Sequence, residues 1–300
     1  MTERKDNRIS RQDFLRRSTR GLLGIGLLGG APAVIRSRKA LAQGNVDLRT
    51  LGRSGIKVSA VGYGASRTME PSLVGRALDM GINFLDTGPS YYSGQNEIMV
   101  GQVTRERRKD VVIQSKIVLR VREKGEEMQS EAVAKRVKKF MQSSLDKSLK
   151  SLQTDYIDII LLHGISQPAI MNLPVVQQFL ADAKKKGVIR AHGLSAHGNQ
   201  VDVLAAVVEG GFYDVVMVPY NHRGSYNHML SGSFSEWDQP GLEEEMRKAE
   251  EAGIGLVAMK GASGGPLSPG GGGGGQADLP GGPQVDHGSL LCSDHGHGHG

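Results

Sequence analysis

Asp86 and Tyr91 stand five residues apart, the carboxylate ending the apolar run Ile82-Asn83-Phe84-Leu85 and the phenol in a loop marked by Gly88, Pro89 and Gly94. Lys116 belongs to a later apolar run, Val111 to Ile117, and His163 directly follows another, Tyr156 to Leu162. A carboxylate, a phenol, an ammonium and an imidazole meeting at one point suit proton delivery to a carbonyl. A free tyrosine has a pKa of about 10. An ammonium beside it would favour the phenolate and make Tyr91 a better acid near neutrality. Asp86 would hold Lys116 charged and in place, and His163 could donate a hydrogen bond to the carbonyl oxygen. Alone, each residue has an ordinary alternative: Asp86 as a turn former, Lys116 as a snorkelling surface lysine, His163 as a structural histidine. Tyr92 competes with Tyr91 as the acid, and the five-residue spacing favours Tyr91.

Four such side chains converge only if their strands end at one mouth, which is how an α/β barrel builds a site. The chain alternates accordingly. Leu48 to Val58 carries a Gly-Arg-Ser-Gly turn between two β-prone runs and reads as a hairpin. Val58 to Tyr63 continues as a strand, and Pro71 starts a helix that Gly81 stops. Strands follow at Ile82–Leu85, Val111–Ile117, Tyr156–Leu162, Val188–Leu194, Val215–Val218 and Ile254–Met259. Between them, Val133, Val137, Met141, Leu145, Leu149 and Leu152 recur at helical spacing, and further helices are expected over Phe179–Lys186, Val201–Val208 and Leu242–Ala252. Seven strands with intervening helices predict an α/β fold, a TIM (β/α)8 barrel lacking its eighth strand and final helices. Residues 261–300 hold fifteen of the 42 glycines and four of the nine histidines, without periodicity, and read as a disordered tail.

The net charge of +6 invites a nucleic-acid reading, but residues 1–42 alone carry +7, which leaves the body near neutrality and excludes nucleic acid as its partner. A single cysteine, Cys292, excludes an internal disulfide or a cysteine metal cluster. His192, His197, His222 and His228 lack paired metal-ligand spacing and are expected in loops or at the mouth. His295, His297 and His299 alternate with glycine, which reads as composition, so no metal site is expected. The first 42 residues show a polar Arg-rich start, the Gly/Leu-rich stretch Gly21–Ile35 and an Ala40-Leu41-Ala42 end, the pattern of an export signal cleaved after Ala42. The apolar stretch is shorter than the roughly 20 residues that span a membrane. Ser10-Arg11-Gln12-Asp13-Phe14-Leu15-Arg16 resembles a twin-arginine signal with Gln12 in place of the second arginine. That implies transient engagement of the Tat export machinery and a periplasmic or extracytoplasmic body.

Several motifs in register resemble the aldo-keto reductases over residues 47–260: Leu51-Gly52-Arg53-Ser54-Gly55, Asp86-Thr87 with Tyr91, Gly94-Gln95-Asn96-Glu97, Ser115-Lys116, Asp155 to His163, Gly193-Leu194-Ser195 and Pro219-Tyr220-Asn221. The resemblance implies NADPH-dependent reduction of a small carbonyl substrate, with Asp86, Tyr91, Lys116 and His163 as the catalytic tetrad. It also implies that Ser195 contacts the nicotinamide carboxamide and that Asn221 lies near the cofactor. Met217 stands on the sixth strand where the family often has a glutamine, a departure that bears on one carboxamide contact. A nucleotide-binding barrel without turnover is the alternative reading, and a non-functional truncated product is another. The family's eighth strand and closing helices have no counterpart after residue 260. Read one base forward from Gly282, codons permitted by the tail can encode ALKWITDPFYVATTVM, which resembles the family's penultimate helix and eighth strand. The tail is therefore expected to be frame-shifted.

Overall fold

The structure, a computed structural model, describes residues 46–227, 234–261 and 289–292, with only the backbone described for residues 227 and 289–292. The expected leader (1–42) and most of the expected tail lie outside the described residues.

The hairpin forms as expected. Strand β1 (Leu48–Leu51) pairs antiparallel with β2 (Ile56–Ser59), from Leu48↔Ser59 to Leu51↔Ile56. Its turn holds a positive φ of 48° at Gly52, where a Cβ would lie 2.2 Å from the Gly255 nitrogen. Only glycine lets the turn come this close to the last parallel strand.

The alternation then runs β3 (Val61–Gly64), α1 (Pro71–Asp79), β4 (Phe84–Asp86), α2 (Gln95–Thr104), β5 (Val112–Ile117), α3 (Glu131–Leu152) and β6 (Ile157–Leu162). It continues through α4 (Pro168–Met171), α5 (Pro174–Lys185), β7 (Ile189–Ser195), α6 (Gln200–Gly210) and β8 (Val215–Pro219). A small antiparallel pair, β9 (Ser225–Asn227) with β10 (Phe234–Glu236), precedes α7 (Gln239–Glu251) and β11 (Gly255–Met259). Strands β3, β4, β5, β6, β7, β8 and β11 are parallel neighbours in that order. All seven expected strands form, and no eighth parallel strand exists among the described residues. The seam between β11 and β3 is instead occupied by β12 (Ser289–Cys292), antiparallel to both edges. This tail segment was expected to supply no strand. Backbone pairing with two open edges, not side-chain pattern, accounts for it.

Successive strand residues face opposite sides of the sheet. Phe84, Val112, Ile159, Leu161, Ala191, Val215, Met217, Val257 and Met259 therefore cluster inside the barrel, where Leu51, Ile56 and Val58 of the hairpin join them. Arg53 fastens this floor, its backbone N–H donating to Gly253 O at 2.6 Å and its guanidinium to Gly211 O and Tyr213 O at 2.7 and 2.6 Å. The other strand face packs against the helices. Helix α3 starts at Ser130, whose hydroxyl accepts from Val133 N, and buries Val133, Val137, Met141, Leu145, Ser148 and Leu152. Helix α2 has no apolar stripe to announce it. Its buried residues include Asn96, Glu97, Gly101 and Thr104 beside Met99 and Val100.

Candidate active site

Asp86 is the last residue of β4, and its register partner on β5 is Gln114. Two residues further along, Lys116 points to the same inner face. The Lys116 Nζ donates to Asp86 Oδ1 at 2.5 Å and to Thr87 O at 2.8 Å, while Gln114 Nε2 donates to the same Asp86 oxygen at 2.7 Å. Lys116 is 1% exposed, so this ion pair is held away from solvent. The Nζ also sits 4.9 Å from the centroid of the Tyr91 ring. Gly88 lies between the two, its Cβ position 3.5 Å from both Lys116 Cδ and Tyr91 Cε2. Tyr92 and Ser93 take positive φ values of 48° and 54°, and Tyr92 is 49% exposed. That kink turns Tyr92 to solvent and leaves Tyr91 facing the lysine.

His163 follows β6 and meets Tyr91 edge to face, with ring centroids 6.2 Å apart and planes at 89°. His197 lies beyond it at 5.6 Å. Ser195 ends β7, and its fully buried hydroxyl accepts from Gly164 N at 3.1 Å, tying β7 to the segment that carries His163. Asn221 is placed otherwise than a free carboxamide would be. Its Nδ2 donates to Ser225 O and Lys260 O at 2.9 and 3.1 Å, and its Oδ1 accepts from Arg223 N at 2.9 Å. Its amide is spent on bracing the loop to the end of β11. Met217 is 2% exposed in the barrel interior.

Burial dominates the electrostatics. It pushes the Tyr91 phenol above its ordinary value; the Lys116 charge pulls the other way and the Asp86 carboxylate adds to the rise. Lys116 thus pulls the phenol in the expected direction, but desolvation of the phenolate outweighs that pull and the net shift is upward. Burial is also the largest influence on Lys116 and pulls its pKa down. Asp86 and Tyr91 together outweigh that, so the net shift is upward and the lysine stays charged. His163 is lowered to about 4, by burial first and then by Lys116, with Lys260 adding to it. It is therefore a neutral imidazole at physiological pH.

The sequence reading missed Gln114, although its position two before Lys116 on a strand puts it on the same face. It also misplaced His192, which was expected in a loop or at the mouth. His192 lies within β7 on the outer face, 4% exposed and stacked on Phe212 at 4.4 Å. His222 is exposed in the loop after β8, as expected. His228, His295, His297 and His299 lie outside the described residues.

Residues 64–277 match the aldo/keto reductase family. Among curated proteins, the chain is 32% identical over 153 residues to the uncharacterized oxidoreductase YqkF of Bacillus subtilis, covering 49% of this chain and 48% of that one. It is also 32% identical over 200 residues to L-galactose dehydrogenase of Arabidopsis thaliana, covering 60% and 57%. The chain thus spans about half the length of the curated relatives it matches. Among solved structures, the holo form of aldo-keto reductase AKR11C1 from Bacillus halodurans aligns with a TM-score of 0.54 and 26% identity, over 71% of this chain and 65% of that one.

Proposed function

The chain belongs to the aldo/keto reductase family, and from that premise we propose that it reduces an aldehyde or ketone to the alcohol, with Tyr91 as proton donor and NADPH as reductant. The observation that carries the reading is the Lys116 ammonium, hydrogen-bonded to Asp86 at 2.5 Å and 4.9 Å from the Tyr91 ring. When bound, NADPH would supply the hydride for the carbonyl carbon. Ser195, whose hydroxyl accepts from Gly164 N and so retains its own O–H for donation, is the residue that would hold its carboxamide. Met217 offers no amide there, and Asn221 has both of its N–H donors engaged, which leaves it acceptor capacity on Oδ1 alone.

The side chains divide the remaining work. Tyr91, kept protonated by burial, gives its proton to the oxygen that gains charge. Lys116 stabilises the phenolate left behind, and Asp86 holds that ammonium in place. His163, neutral at physiological pH, is a hydrogen-bond donor that orients the carbonyl oxygen without competing as an acid.

The test is NADPH oxidation with a panel of aldehydes and ketones, beside NADPH binding by fluorescence, in wild type and Tyr91→Phe. Turnover should fall roughly 10²–10⁴-fold with cofactor affinity retained, as for a lost general acid. An unchanged rate removes Tyr91 from the mechanism, and cofactor binding without consumption in the wild type makes the protein a nucleotide-binding barrel instead. On the same footing, we read residues 1–42 as a Tat-type leader, checked by N-terminal sequencing of protein from the periplasm. The frame-shifted tail is checked by resequencing the gene from the Ile254 codon onward.

A further inference from the structure

Outside the mouth, a groove of about 620 Å³ runs between the loops after β4 and β5 and one side of α3. Pro89 and Ser90 form one wall, Val118, Leu119 and Arg120 another, and Arg136, Val137, Phe140, Ser143, Ser144 and Lys147 the helix side. None of Asp86, Tyr91, Lys116 or His163 lines it. Its volume is within the range of pockets that hold small organic ligands.

The lining separates into two kinds. Val118, Leu119, Val137 and Phe140 give an apolar floor, and Phe140, beside the buried stripe of α3, is left 47% exposed on it. Three serines and three cations surround that floor. Arg136 is already neutralised by a two-pronged pair with Glu123, at 2.6 and 2.7 Å. Arg120 and Lys147 make no close ion pair among the described residues, Lys147 acting on the Glu97 carboxyl only through its charge, so the groove presents two cations beside an exposed aromatic ring. An apolar ligand with one negative charge satisfies both features: its body covers Phe140 and Leu119, and its anion meets Arg120 and Lys147. A neutral apolar ligand would leave the cations unmatched, and a small inorganic anion would leave the floor wet.

We propose that this groove is a second binding site, separate from the catalytic mouth, for a small aromatic or aliphatic monoanion. Its walls are the segments that carry the chemistry, since Ser90 adjoins Tyr91 and Val118 lies two residues after Lys116. An occupant therefore bears on the loop geometry of both.

The probe is 2-naphthoate, with neutral 2-naphthamide of the same shape as control, each titrated calorimetrically into cofactor-free full-length protein. Arg120→Glu and Phe140→Ala both change exposed side chains, and unaltered circular dichroism establishes that each variant folds. One saturable site for naphthoate is expected, at least tenfold tighter than for the amide. Arg120→Glu should weaken naphthoate at least tenfold without affecting the amide, and Phe140→Ala should weaken both. No saturable binding, or binding indifferent to either substitution, overturns the site. The readout needs neither cofactor nor turnover, so its failure is distinct from failure of the reductase reading.

Discussion

Glu97→Gln should make the protein more stable at neutral pH than at acid pH relative to wild type. Glu97 is fully buried between α2, β5 and α3, where its Oε1 accepts from Ser115 Oγ at 2.6 Å. Its Oε2 and the Ser148 Oγ are both buried without a hydrogen-bond partner, although Ser148 lies near enough to the carboxyl to influence its titration. A proton on Oε2, donated to Ser148, resolves both orphans at once. Burial is also the largest influence on the group and lifts its pKa above the ordinary 4.5, against the pull of Ser115, Ser148, Lys116 and Lys147. The native state then holds a proton that the unfolded chain releases. Stability is full below the unfolded value and falls as pH rises through the window up to the raised native value. Each unit of that window costs about 1.4 kcal/mol at neutral pH. Glutamine keeps an acceptor for Ser115 and supplies a donor for Ser148, with no proton to lose. Urea denaturation near pH 4 and near pH 7 measures the difference, and the stability of Glu97→Gln relative to wild type should rise by about 1.4 kcal/mol per unit of native shift. An equal loss at both pH values, or a greater loss at pH 7, would mean that the carboxylate is ionised and that the orphaned oxygens have another explanation.

The other expectations are shorter. The His163 imidazole should titrate with a midpoint of about 4 by NMR. Because that is depressed, its contribution to stability is present above the ordinary 6.5 and is lost as pH falls toward 4; a midpoint near 6.5 would show that water reaches the ring. Gly193→Ala puts a Cβ 1.9 Å from Val215 O and 2.9 Å from Leu161 Cδ2 inside the barrel, and should cost about 3 kcal/mol or more in denaturant melts. Gly75→Ala, in open space on α1, should instead stabilise by about 0.5–1 kcal/mol. The opposite ranking of these two would refute the packing assigned to the strand interior.

The barrel was legible because its strands are buried on both sides: the run Ile157–Leu162, apolar except for Asp158, reads as a strand. The candidate site was legible because strand ends share one mouth, so Asp86, Lys116 and His163 needed only their positions at the ends of apolar runs. What escaped had no apolar pattern. Helix α2 buries Asn96 and Glu97 in hydrogen bonds to Thr87, Ala65 and Ser115, a polar use of the interior that periodicity cannot detect. Strand β12 is set by two unpaired edges elsewhere in the chain. The acidity of Tyr91 was misjudged because charge proximity is visible from residue types, whereas the depth of burial that outweighs it exists only in the folded mouth.

The floor of the barrel sets a schedule for synthesis. The hairpin leaves the ribosome ahead of every barrel strand, yet Arg53 and Gly52 are fixed by Gly253 and Gly255, about 200 residues later. At roughly 5–20 residues per second, that interval is on the order of 10–40 s. Throughout it, Leu51, Ile56 and Val58 have no barrel to enter, so an apolar hairpin waits in the open beside a growing chain. Closure is a late, long-range event, and anything that covers the hairpin in the meantime must let go before the barrel acquires its floor.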